Sequence, residues 1–198
     1  MTRARFLERP ALIPVGAQVL EGLSHRGRRL PPLLIVPPPP HEGGMDHVLA
    51  LELAWAASRA GHPTLRFNFR GVGASPGPKG EGASRGEDIE AALAQLAANS
   101  GTPSVALAAL GASAPDVVRV AGAHPGVVGV ALANPGGLSA EVLAALRRPL
   151  LVVVDAGAAP SAAREPWLGG HSGAVVRATS LPEVGRAVAL WLGGLATP

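Results

Sequence analysis

What most constrains this chain is its rhythm, in which short and nearly continuous apolar runs recur between longer stretches with apolar residues at helical spacing. Leu33 to Val36, Val105 to Leu110 and Leu150 to Val154 have no polar face, so each predicts a strand covered on both sides. Strands of that kind alternate with helices in crossover units. The expectation is an α/β fold with a mostly parallel central sheet and helices on both faces. At 198 residues the chain suits a single domain spanning 1–198 around one core.

The order of elements can be read along the chain. Ala11 to Gly22 alternates loosely around Pro14 and Gly16, which suits edge strands or a hairpin. Leu33 to Val36 is a buried strand, followed by a stiff connection through Pro37 to Pro40. Asp46 precedes an apolar stripe through Leu49, Leu53 and Ala57 that stops at Gly61, so Asp46 is the expected helix cap. Pro63 to Phe69 is the next strand, and Arg70 to Gly86 reads as a long loop. The helix after it is expected to open on Glu87, Asp88 and Glu90 and to bury Ile89, Leu93 and Leu96. Then come strand Ser104 to Leu110, a helix near Asp116 to Ala123, strand Val127 to Ala133, helix Ser139 to Arg147 and strand Leu150 to Val154. Strand Ala174 to Ala178 and a helix from Leu181 to Leu195 close the pattern.

Composition excludes several classes. The chain has no cysteine, which removes disulfides, thiolate metal sites and cysteine nucleophiles. No apolar run approaches the roughly 18 residues of a membrane span. Arg9 and Pro10 interrupt the segment that a secretory signal would need, so a cytoplasmic protein is expected. The pI of 10.9 overstates the positive charge, because the formal net charge is only +3 and Lys79 is the one lysine. Arg26, Arg28 and Arg29 form the densest basic run; no aromatic residue lies between them to stack on bases, so a solvated loop is expected rather than nucleic-acid binding.

In a parallel sheet the loops leaving the carboxyl ends of strands form the ligand crevice. The glycines of Arg70-Gly71-Val72-Gly73 follow a strand, yet proline and glycine run on to Gly86 before helical pattern resumes. A dinucleotide site, which must open a helix at once, is not expected. The wider string, Leu-Arg-Phe-Asn-Phe-Arg-Gly-Val-Gly-Ala-Ser-Pro-Gly from Leu65 to Gly77, resembles the small bacterial α/β-hydrolases related to dienelactone hydrolases. The resemblance extends back through Gly43-Gly44-Met45-Asp46 and forward through Gly80-Glu81 to Asp88. It implies an α/β-hydrolase-like fold with a nucleophile after the strand ending at Leu110, an acid after the strand ending at Val154 and a histidine after the strand ending at Ala178.

The chain departs from that pattern at each station. Gly111-Ala112-Ser113-Ala114-Pro115 matches a nucleophile elbow except at its last position, where proline replaces glycine. Ungapped alignment from Asp88 puts Gly111, which has no nucleophile, at the family's serine position. Ser113 therefore has two readings, a relocated nucleophile and a cap for the following helix, of which capping is preferred. Thr179-Ser180-Leu181-Pro182-Glu183 contains no histidine. His171 and His124 are the fallback bases, and Asp155 is either an orienting acid or a turn residue. The oxyanion loop is Pro37 to Pro40, and proline has no N–H to donate. Loss of a base and loss of an oxyanion donor each cost on the order of a hundredfold in rate.

His41, Glu42, Asp46 and His47 form the one close group of metal-ligand types, but helix capping accounts for Asp46, and neither a metal nor a cofactor is expected. Trp55, Trp167 and Trp191 have apolar neighbours and read as packing residues. The expected function is a non-catalytic α/β-hydrolase-like protein that binds a partner or a small hydrophobic ligand through the old crevice. Two alternatives stand beside it: a carboxyl-ester or lactone hydrolase using Ser113 with Asp155 and His171 or His124, and a structural subunit of an assembly.

Overall fold

A computed structural model of the protein describes residues 7–80, 82–144, 146–155 and 173–195. Among the described residues eight strands form one sheet: β1 (Arg9–Val15), β2 (Gln18–His25), β3 (Leu33–Val36), β4 (Thr64–Phe67), β5 (Val105–Leu110), β6 (Val127–Ala133), β7 (Leu150–Asp155) and β8 (Ala174–Ala178). Their order is β1-β2-β4-β3-β5-β6-β7-β8. The hairpin β1–β2 is antiparallel and joins β4 antiparallel, whereas all pairs from β4 through β8 are parallel. The mostly parallel sheet expected from the apolar runs is the sheet that forms.

Two separate apolar layers explain why those runs lack a polar face. Leu34, Val36, Val105, Leu107 and Ala109 point into one core, with α2 (Ala83–Ser100), α3 (Ala114–Ala123) and the short α4 (Ala140–Ala144) on that side. Leu33, Ile35, Ala106, Ala108 and Leu110 point into the other, beneath α1 (Val48–Arg59) and α5 (Leu181–Gly193). Alternate side chains thus enter opposite cores, so every position is apolar.

The helix boundaries correct two expectations. Asp46 does not cap α1; His47 is the cap residue, its Nδ1 accepting from the Leu49 N–H at 3.3 Å, while Asp46 accepts from Arg66 Nη1 at 2.7 Å. The helix α2 begins at Ala83 rather than Glu87, with Gly82 as its cap residue. Glu87 and Asp88 therefore lie beyond the first turn, where the helix-dipole effect has fallen off, and their charge is engaged by Arg70 instead.

Strand order reverses around β3. The chain passes from β3 to β4 on one side and then returns to β5 on the other, so the turns after β3, β4 and β5 converge at one sheet edge.

Candidate functional site

The turn after β4 is built almost wholly from internal hydrogen bonds. Arg66 is buried and holds both Glu8 oxygens at 2.9 Å, Asp46 Oδ1 at 2.7 Å and the Met45 carbonyl at 2.8 Å. Two residues on, Asn68 accepts from the Met45 N–H at 2.8 Å and donates to Glu21 Oε1 at 2.6 Å. Ser75 donates to the Asn68 carbonyl and accepts from the Glu21 N–H. Arg70 reaches Asp88, which is fully buried, through both its backbone N–H at 3.0 Å and its Nε at 2.8 Å. The neighbouring glycines are sterically required: a Cβ on Gly44 would stand 2.5 Å from Asn68 Oδ1, and one on Gly73, at φ +57°, would strike the Glu21 carboxylate. Phe67 and Phe69 alternate to the apolar side and meet edge to face at 5.2 Å.

The turn after β5 is different. Gly111 follows the strand directly with φ +56°, a left-handed conformation that costs any residue with a Cβ. A single tight turn, Gly111–Ser113, leads into α3. Glycine thus stands at the apex of the turn between β5 and α3. A Cβ there would lie 2.8 Å from Glu42 Oε2. The Glu42 carboxylate thus stands over the apex, with His41 Nε2 at 3.5 Å from its other oxygen.

Ser113 is fully buried, and its hydroxyl donates to the Pro37 carbonyl at 2.7 Å. It occupies the cap position of α3 but makes no side-chain cap bond, which corrects the capping expectation. The hydroxyl instead ties the turn after β5 to the proline connection after β3. Pro39 accepts from the Glu42 N–H at 2.8 Å, closing that connection on itself.

The other fallback residues lie as follows. Asp155 ends β7 opposite Ala178 of β8, at the crevice edge. His171 lies outside the described residues, as does Trp167. His124 terminates α3 just before β6, at the opposite edge of the sheet, and its Nδ1 accepts from the Gly126 N–H at 3.2 Å. The position after β8 is tied to the start of α5: the Thr179 N–H and hydroxyl donate to Glu183 at 2.6 and 2.8 Å, holding that carboxyl below its ordinary value.

Among the described residues, His47 does reach the crevice. A cavity of about 390 Å³ at the carboxyl edge is lined by His47, Asn134, Thr179, Ser180 and Val184 among others. Asn134 follows β6 with φ +48°. Sequence reading placed His47 among metal-ligand types and gave it no place beside the strand ends, since only the packing of α1 carries it there. His41, Glu42, Asp46 and His47 do not converge: Asp46 turns to Arg66 and His47 to its own helix. Among the described residues no three histidine or carboxylate groups are placed to hold a metal ion. No helix among them is long and apolar enough to cross a membrane.

No family model matches the chain, and no curated protein matches it by sequence. Solved structures do match. An alpha-beta serine hydrolase homologue from Coxiella burnetii superposes with a TM-score of 0.73 at 24% identity, covering 92% of this chain and 93% of its own. An α/β serine hydrolase without a lid from Xanthomonas campestris gives 0.74 at 22% identity over 96% and 97%. A haloalkane dehalogenase from Bradyrhizobium elkani gives 0.68 at 14% identity over 95% and 98%. The chain has the α/β-hydrolase fold.

Proposed function

We propose that this protein is a degenerate relative of the small α/β-hydrolases related to dienelactone hydrolases, without hydrolytic activity, and that its crevice binds a small hydrophobic ligand. The observation that carries this reading is Gly111 at the apex of the turn after β5, with the Glu42 carboxylate over it. Glycine offers no nucleophile there, and a carboxylate facing the same space opposes the negative charge that develops during acyl transfer. Support also comes from the absence of histidine between Thr179 and Glu183 and from the commitment of the Ser113 hydroxyl to Pro37. The cavity beside His47 and Asn134 has a volume suited to a small ligand.

A serine-directed fluorophosphonate together with short-chain esters tests the proposal, applied to the native protein and to Ser113→Ala. The expected result is neither labelling nor turnover above background in either protein. Labelling and turnover that disappear on Ser113→Ala would overturn it in favour of a hydrolase using Ser113.

A further inference from the structure

A second cavity, of about 780 Å³, lies between α1 and α5. Its walls include Arg29, Glu52, Trp55, Arg59, Arg186 and Leu190. The expectation that Trp55 is a packing residue is corrected here: Trp55 is 45% exposed and Leu190 77%, two large apolar side chains left facing water. Each sits one helical turn from an arginine, Trp55 from Arg59 in α1 and Leu190 from Arg186 in α5. The Arg59 guanidinium carbon lies 5.4 Å from the centroid of the Trp55 ring. Gly185 lets the helices close beneath the cavity, since a Cβ there would stand 2.9 Å from that of Ala56.

The charges are unbalanced. Arg29, Arg59 and Arg186 line the cavity against one carboxylate in its wall, Glu52; among the described residues none of the three arginines is in an ion pair, although Glu183, three residues before Arg186 on α5, offsets part of that arginine's charge. Arg29 donates to the Ala60 carbonyl at 3.2 Å, which fixes the basic loop on the end of α1 rather than leaving it wholly solvated. An occupant must therefore match apolar walls and surplus positive charge in a groove open to solvent on one side. Its volume falls in the range of small-molecule sites, roughly 300 to 1,000 Å³. Glu52 in the wall disfavours densely anionic surfaces such as nucleic acid or an acidic bilayer, leaving a compact monoanion as the best match.

We infer that the α1–α5 cavity binds a small amphiphilic carboxylate, its apolar body against Trp55 and Leu190 and its carboxylate on Arg59 and Arg186. This site shares no lining residue with the strand-end cavity.

Calorimetric titration with 2-naphthoate tests the assignment, with 2-naphthylmethanol as the uncharged counterpart. The expected result is saturable one-to-one binding of the acid, weakened about tenfold by Arg59→Ala or by Arg186→Ala, as loss of a charge-assisted contact implies. Glu52→Gln is expected to tighten binding several-fold, and Ser113→Ala to leave it unchanged. Both arginines are exposed, so these variants keep the fold, and unchanged circular dichroism checks that. Equal affinity for acid and alcohol, or affinity unaffected by both arginine variants, would overturn the proposal. So would absence of naphthoate binding alongside co-sedimentation with phosphatidylglycerol vesicles, or alongside self-association abolished by Leu190→Glu.

Discussion

The turns leaving β4 and β5 flank the same strand, β3, and emerge at the same edge of the sheet, yet they are made in opposite ways. From near the end of β4, Arg66, Asn68 and Arg70 project at every second position, and each is met by carboxylates, amides or backbone groups. After β5 stand glycine, alanine and one serine whose hydroxyl is already used. The string that gives the chain its specific resemblance to hydrolases is thus scaffold: it fixes the hairpin, the loop before α1 and the start of α2 to one strand. Removal of scaffold of that kind costs stability whatever the neighbouring turn does.

The difference can be broken hardest at Arg70. Arg70→Ala leaves the fully buried Asp88 without its cation, and a loss of about 3–5 kcal/mol is expected in urea unfolding. A loss below about 1 kcal/mol would show that the β4 turn is not the rigid side of the comparison.

At the β5 turn the expected losses are smaller. Gly111→Ala is expected to cost about 1–2 kcal/mol because of its left-handed backbone, with the partly exposed Glu42 side chain moving aside for the new methyl. Thermal unfolding would measure it, and a stabilised variant would mean that the turn does not hold that conformation in solution. Ser113→Ala removes one buried neutral hydrogen bond, so about 1 kcal/mol is expected in the same assay.

The mildest probe is pH. Burial pushes His25 and His62 below the ordinary histidine value, although Glu8 beside His25 and the Pro31 carbonyl on His62 Nδ1 oppose it. Unfolding restores the ordinary value near 6.5, so below it the unfolded chain binds more protons and stability falls as pH falls. Urea midpoints are expected to decline from pH 7.5 to 5.5, less steeply in His62→Asn. An identical slope in that variant would remove His62 from the effect.

Much of this was legible in the chain. The extents of β3 and β6 follow from uninterrupted apolar runs, because a strand covered on both faces leaves no position for a polar residue. The glycine at the apex and the missing histidine after β8 are also statements about residue identity at counted positions. Side-chain direction was not legible. Asp46 carries the local signature of a helix cap but turns to Arg66, 20 residues away, and the Ser113 hydroxyl finds Pro37 across 76 residues. Trp55 likewise looks like core in sequence and stands at a cavity wall, because α5 packs beside it rather than over it. Periodicity encodes which face of an element is buried, since that depends on the repeat of the backbone. Which polar partner a side chain reaches depends on elements that only folding brings together, and that the tertiary structure decided.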